Sequence, residues 1–279
     1  MDDLKVYNKQ EFEIKLNTTR PIFQMQFKMS PEHSRILQKR IDDLKAKNIL
    51  EDSETFWYNV PLFIVPKASL RDAKDKSDYR HYRPVADLRL LNSHISPLAI
   101  YTQPISDIVQ EVTKFSDEKP PKRANWYTTL DFMNGFLQLG LKKGLTRDCL
   151  SFRAPDGKVM TWTRVPFGCK LSPTFFSLVM TKITAPMRAK GGFCFYLDDC
   201  CIFSTDEKSH LEKIDEFLSI LIDNDLKCSV AKSFFLENRI KFIGVIIDEN
   251  GISVPQEVTR TLDKLQTMKI KTQKQLCSC

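Results

Sequence analysis

The chain has 279 residues, 42% hydrophobic and 28% charged, with a formal net charge of +7 at neutral pH. That length and balance suit a folded protein of two or three packed subdomains and exclude an intrinsically disordered chain. No run of about 18 apolar residues occurs, and the glycine and proline contents exclude a collagen-like or low-complexity class.

The start, Met1-Asp2-Asp3-Leu4-Lys5, carries no apolar h-region, so no secretory signal is expected. An intracellular chain is expected on that ground, cytoplasmic with the nucleus as the alternative, and without membrane association. The eight cysteines (149, 169, 194, 200, 201, 228, 277 and 279) lack the spacing of tetrahedral zinc sites and read as reduced thiols. Basic residues are uneven: residues 67–92 hold seven Lys/Arg against four Asp, 142–170 seven against two, and 260–274 five against one. Such patches attract polyanions, nucleic acid foremost, although charge runs also occur as plain solvated faces.

In chain order, Ser30-Pro31 reads as an N-cap followed by proline at the first helical position, opening a helix over 31–47 that carries Leu37, Ile41 and Leu44. Val60 to Val65 reads as a strand, and Lys67 to Tyr82 as an exposed hairpin or loop. Ser116 to Asn125 is a connecting loop, and Trp126 to Leu130 a strand ending at Asp131. Ser172-Pro173 repeats the cap signature for a helix with Phe175, Phe176, Val179 and Ile183. Cys194–Leu197 and Cys200–Ser204 flank an aspartate pair as a strand–turn–strand hairpin. Leu211, Ile214, Leu218, Leu221 and Ile222 mark an amphipathic helix. Phe242 to Ile247 reads as one strand before a tight turn at Asn250-Gly251. This mixture without βαβ alternation predicts an α+β fold, an antiparallel sheet backed by helices.

The most informative residues are carboxylates. Asp198 and Asp199 sit side by side between apolar segments, where mutual repulsion and desolvation favour a bound divalent cation. Asp131, 67 residues earlier, again ends an apolar strand. If the fold joins them, hard oxygen ligands suit Mg²⁺ with substrate phosphates completing its shell. Taken singly, Asp198-Asp199 reads rather as an ordinary hairpin turn and Asp131 as a helix cap, because aspartate is common in turns.

The order of blocks resembles the reverse transcriptases of gypsy-like LTR retrotransposons and, more distantly, retroviral Pol, over about residues 14–276. Arg83-Pro84-Val85-Ala86-Asp87-Leu88-Arg89-Leu90-Leu91-Asn92 resembles the fingers block. Leu130-Asp131-Phe132-Met133-Asn134-Gly135-Phe136-Leu137-Gln138-Leu139 resembles the first palm motif, and Val165-Pro166-Phe167-Gly168-Cys169-Lys170-Leu171-Ser172-Pro173 the P-F-G block, with Cys169–Ser172 departing from its L-x-N-A run. Tyr196-Leu197-Asp198-Asp199 is the Y-x-D-D box. Leu226-Lys227-Cys228 to Lys232-Ser233-Phe234 and Phe242-Ile243-Gly244 resemble the last palm motif and primer grip.

The resemblance implies a right-hand polymerase fold with fingers and palm and a thumb largely missing. It implies an N-terminal segment and fingers over 1–95, palm over 96–141, a fingers return over 142–165, palm again over 166–247, and the start of a truncated thumb over 248–279. Insertions are expected at about 68–79 and before Trp126. Asp131, Asp198 and Asp199 become the catalytic set, holding two Mg²⁺ ions (Mn²⁺ as substitute) with the Phe132 carbonyl. The implied partners are an RNA or DNA template with its primer, and dNTPs. Lys67, Arg83 and Lys232 would contact the nucleotide's phosphates, with Lys227 the competitor of Lys232. Phe136 would be the gate beneath the sugar, Phe167 and Gly168 would line the nucleotide site, and the helix after Ser172 would support the template base. Phe242, Ile243 and Gly244 would grip the primer. The implied activity is RNA-directed DNA polymerisation. Two other classes compete: a weak or inactive nucleic-acid-binding fragment of a degenerate or co-opted retroelement, favoured by the missing thumb, and an RNA-dependent RNA polymerase, disfavoured by Phe136.

Overall fold

The computed structural model describes residues 4–70, 75, 77–99, 103–113 and 124–260. The chain divides into two compact units, each assembled from separate segments. One comprises Met1–Thr102, Phe132–Ile183 and Ser219–Lys227; the other comprises Gln103–Asp131, Thr184–Leu218 and Cys228–Cys279. Helices and antiparallel sheets are mixed as the α+β expectation has it; among the described strands, only Glu11–Phe12 with Gly140–Leu141 pairs in parallel. Among the described residues no helix is long and apolar enough to cross a membrane.

In the first unit the helix Pro31–Ala46 starts as expected. Ser30 is extended and its Oγ accepts from the His33 amide, while Pro31 supplies a helical φ where no N–H is needed. Ile36, Leu37, Ile41 and Leu44 bury its apolar stripe. After a short strand at Leu50–Asp52, the strand expected from Val60 runs Leu62–Pro66, two residues later than its apolar run suggests, because the Val60 amide is taken by the Ser151 carbonyl. It pairs with Tyr82–Ala86, setting Arg83 opposite Val65. Between them lie short 3₁₀ turns at Ala68–Leu70 and Tyr79–His81. Residues 71–74 and 76 of the expected fingertip insertion, 116–123 of the expected loop, and 261–279 of the basic run and thumb start lie outside the described residues, Cys277 and Cys279 with them.

The helix Ser172–Ile183 buries Phe175, Phe176 and Val179, but Ser172 is not its cap. Ser172 is already the first helical residue, and its buried hydroxyl donates to the Pro166 carbonyl at 2.8 Å, fastening the preceding loop.

The second unit is built on a four-stranded antiparallel sheet in the order Phe234–Glu237, Trp126–Asp131, Asp199–Ser204, Phe193–Tyr196. Ile108 and Val112 of the helix Ile105–Thr113 pack with Tyr127, Phe203, Ile240 and Ile247 to form its core. The run expected as one strand over 242–247 is two strands, Arg239–Phe242 and Val245–Asp248, folded back at Ile243-Gly244. Both turn residues have positive φ (46° and 78°), the conformation of a two-residue turn whose twist matches a hairpin, and Gly244 adopts it without a side-chain penalty. Apolar residues on both sides of the turn conceal it from a periodicity count. The helix Glu207–Asp223 buries His210, Ile214, Phe217 and Leu221, a stripe spaced 4, 3 and 4, whereas Leu211 and Ile222 are exposed.

His210 lies fully buried, its Nε2 2.8 Å from Thr128 Oγ1 and its Nδ1 3.1 Å from Ser204 Oγ. It ties the helix to both central strands. Burial, aided by the Lys213 charge, pushes its pKa down to about 4. The unfolded chain therefore binds a proton more readily than the folded one between pH 6.5 and about 4. Stability contributed by neutral His210 is full above that window and falls by about 3 kcal/mol as pH drops through it. Thermal melts should show the loss in the native chain and a flatter profile in His210→Gln.

Candidate active site

The strand Trp126–Asp131 buries Tyr127 on one face and Thr128 and Leu130 on the other, and ends at Asp131, two-thirds covered. The hairpin Phe193–Tyr196 to Asp199–Ser204 closes on the pair Tyr196–Asp199, which leaves Leu197-Asp198 as a two-residue turn. Its register on the neighbouring strand sets Asp199 directly opposite Asp131 and Cys200 opposite Leu130. Directly opposed residues in an antiparallel ladder hold their Cβ atoms about 5 Å apart. Two motif aspartates distant in sequence thus meet at one sheet end, with exposed Asp198 at the turn beside them. Leu197 makes that turn at φ 57°, a left-handed conformation costing a β- or γ-branched residue about 1–3 kcal/mol.

The charges are felt. Burial raises the Asp199 pKa, and the negative charges of Asp198 and Asp131 raise it further. At neutral pH ionised Asp199 therefore opposes folding, and either acid or a nearby cation relieves it. The structure supplies one cation from the chain itself. The Ser229 amide donates to the Asp131 carbonyl at 2.8 Å, and the Asp131 amide donates to Ser233 Oγ. The 3₁₀ turn Val230–Lys232 is held between these bonds, with Lys232 Nζ 3.3 Å from Asp131 Oδ1. Lys227, the other candidate, has both its backbone groups engaged by the Gln138 side chain. Among the described residues no three His, Cys, Asp or Glu side chains stand as a preformed metal-holding group. The donor chemistry nevertheless fits a hard divalent cation: carboxylate oxygens with an excess of negative charge recorded in the raised Asp199 pKa. Cys200 and Cys201 beside them are fully buried, and burial pushes the Cys200 thiol well up, which removes it as a nucleophile.

Other predicted residues fall into separate groups. In the first unit the Phe136 ring packs on Phe167 at 5.6 Å and on Phe176 at 6.0 Å; Phe167 is 46% exposed. Lys67 and Arg83 share the Leu62–Pro66/Tyr82–Ala86 hairpin. The Lys67 amine donates to the Arg80 carbonyl at 2.8 Å, and its pKa is lowered by burial and then by the charges of Arg40 and Arg83. In the second unit Phe242 is buried in the core, while Ile243 and Gly244 form the hairpin turn. Phe132, next after Asp131, buries its ring edge-on against Phe176 at 4.9 Å.

Several residues carry the site without being singled out by type. Asn92 donates to the Gly168 carbonyl at 2.9 Å and accepts from the Lys170 amide at 2.8 Å, clamping the P-F-G loop. Buried Asp87 holds Arg89 through two hydrogen bonds, and that bond lowers its pKa. These residues, with Phe27, Phe63 and Gly168, line a cleft of roughly 680 Å³. Their signal was position within a recognised block; the side-chain partners, 76 and 78 residues away, were not legible.

The family described as reverse transcriptase (RNA-dependent DNA polymerase) matches residues 65–247. The chain is 28% identical over 254 residues, 91% of its length, to the retrovirus-related Pol polyprotein from transposon opus of Drosophila melanogaster. It is 27% identical over 208 residues, 74% of its length, to the corresponding polyprotein from transposon gypsy of the same species. It spans 23% of the former and 18% of the latter. The fold is that of a foamy viral protease-reverse transcriptase solved in complex with double-stranded DNA: TM-score 0.79 at 24% identity, covering 99% of this chain and 44% of that one.

If repulsion within the trio helps hold the Asp199 proton, Asp198→Asn should move the Asp199 pKa down toward its ordinary value. Carboxylate-detected NMR titration reads this directly, and an unmoved Asp199 would leave burial and the Asp131 charge as its causes.

Proposed function

The chain belongs to the reverse transcriptase (RNA-dependent DNA polymerase) family, and from that premise we propose that it is the polymerase core of a retroelement Pol polyprotein. It joins dNTPs to a primer 3′-OH under the direction of an RNA or DNA template. The observation that carries the reading is the register that sets Asp199 opposite Asp131 with Asp198 at the adjoining turn. The second unit corresponds to the greater part of the palm, and the hairpin of Lys67 and Arg83 to the fingers.

In the reaction the primer oxygen attacks the α-phosphorus. An O–P bond forms, the bond to the β-phosphate oxygen breaks, pyrophosphate leaves, and the hydroxyl proton passes to solvent. Asp131, Asp198 and Asp199, with the Phe132 carbonyl, would hold two Mg²⁺ ions or Mn²⁺ in their place. Such ions, when bound, lower the pKa of the primer hydroxyl and neutralise charge on the triphosphate. Lys232 gives up its contact with Asp131 and serves the leaving pyrophosphate as a proton or hydrogen-bond donor. Its exposure, 69%, suits a side chain that must exchange partners.

Arg83 and Lys67 hold triphosphate oxygens. Crowding of Lys67 by Arg40 and Arg83 supports this, since a polyanion relieves repulsion among cations. Phe136 lies beneath the sugar and excludes a 2′-OH, with Phe167 and Gly168 beside the nucleotide. The Ile243-Gly244 turn contacts the primer backbone. The cleft of Phe27, Phe63 and Arg89 takes unpaired template bases, its aromatic faces stacking on them and its cations meeting the phosphates.

Primer extension on poly(rA)/oligo(dT) with dTTP and Mg²⁺ tests the reading. The native chain should extend, and the Asp198→Asn, Asp199→Asn double variant should lose at least about a hundredfold in rate. Absence of extension by either, with salt-sensitive duplex binding by both, would replace it with a non-catalytic nucleic-acid-binding role.

A further inference from the structure

We infer that Gln138 is a positioning residue that fixes the height of the Phe136 ring and thereby sets discrimination between deoxyribose and ribose. The inference rests on the reading of Phe136 as the gate beneath the sugar.

Gln138 is completely buried, and its carboxamide is saturated. Oε1 accepts from the Lys227 amide at 2.7 Å, while Nε2 donates to the carbonyls of Lys227 at 2.8 Å and Met133 at 2.9 Å. The Met133 amide also donates to the Lys227 carbonyl, at 3.1 Å. The side chain thus stands in for a missing strand, pairing in both directions with the Lys227 backbone. Its own carbonyl accepts from the Tyr7 amide at 2.8 Å.

Phe136 lies two residues earlier, in the 3₁₀ turn Gly135–Gln138. That turn is entered through Asn134 in the left-handed region (φ 51°, ψ 49°), and no side chain caps it. Within itself it has a single short run of i→i+3 backbone bonds, Leu137 to Asn134 and Leu139 to Phe136 at its two ends, too little to fix its position against a ligand. Its two ends must be held from outside. At the first end Gly135 presses on neighbours, since a Cβ there would stand 3.3 Å from Phe132 Cβ and from the Phe176 ring. At the other end the three carboxamide bonds of Gln138 act together with the Tyr7 amide on the Gln138 carbonyl and the Arg164 guanidinium on the Leu137 carbonyl at 3.2 Å. The Phe136 ring packs on the Phe167 and Phe176 rings, and half-exposed Phe167 can yield. The polar fastening, not the aromatic contact, therefore sets how far the ring can sink when a 2′-OH presses on it.

The test is single-nucleotide incorporation on poly(rA)/oligo(dT), comparing kcat/KM for dTTP with that for UTP. It uses the native chain, Gln138→Met, Gln138→Glu, and the methionine change combined with Phe136→Ala. Gln138→Met keeps the shape without the hydrogen bonds and should lower the dTTP/UTP preference about tenfold. In the Phe136→Ala background it should lower the preference no further, because the ring through which it acts is gone. Should Gln138→Met fail to melt cooperatively, Gln138→Glu keeps the volume and the acceptor and carries the same expectation in weaker form. A preference unchanged in active Gln138 variants overturns the inference and leaves the polymerase reading intact. Equal losses with and without Phe136 also overturn it, since they mark a general structural role. A native chain that incorporates neither nucleotide overturns the polymerase reading and this inference with it.

Discussion

Everything at this site depends on a cross-strand register. An antiparallel ladder allows Asp199 to face Asp131 only if the Asp199–Ser204 strand is in one alignment. A slip by one residue would send the aspartate to the other face and bring Cys200 opposite Asp131. Repulsion of two unit charges about 5 Å apart works against that alignment by between about 1 kcal/mol in full solvent and about 3 kcal/mol at the effective dielectric of a protein surface. The core enforces it nonetheless. Tyr127, Phe203, Cys194 and Cys201 alternate into one apolar cluster, and Thr128, Ser204 and His210 join in a buried polar link. The apolar interior holds a repulsive surface corner in place, and the proposed dication site is that corner.

The same economy recurs around it. The turn that brings Lys232 to Asp131 is fastened to the Asp131 backbone by the Ser229 amide and the Ser233 hydroxyl, so the cation is delivered by the geometry of the turn. The P-F-G loop is held by Asn92, and the Phe136 turn by Gln138. In each case a short irregular segment bearing a functional side chain borrows its rigidity from one buried or half-buried polar group elsewhere. Such segments form too few internal hydrogen bonds to hold their own position.

Much of this was legible in the sequence. The Ser30-Pro31 helix start, the strand ending at Asp131 and the hairpin around Asp198-Asp199 follow from local rules of capping and alternation. The meeting of Asp131 with Asp199 needed the motif resemblance, because no local rule pairs strands so far apart. What failed did so where local and tertiary demands diverge. Ser172 has the chemistry of a cap, but the Pro166 carbonyl claims its hydroxyl. The apolar run Phe242 to Ile247 hides a hairpin, because Ile243 accepts a positive φ that its side chain disfavours. Leu211 and Ile222 have the right spacing for a core face but are exposed, and Phe217 takes the buried place. The carboxamide contacts of Gln138 with Lys227 and of Asn92 with the P-F-G loop join residues 76 or more positions apart, beyond any pattern read along the chain.

The account's central claim is that the Asp131, Asp198 and Asp199 corner is the place where divalent cations bind. Titrating the isotope-labelled chain with substoichiometric Mn²⁺ and following paramagnetic broadening of its backbone amides tests that claim most directly. The account predicts that broadening begins at Asp131, Asp198 and Asp199 and their neighbours, is competed by Mg²⁺, and disappears in Asp199→Asn. Broadening that begins elsewhere, or that persists unchanged in Asp199→Asn, would contradict it.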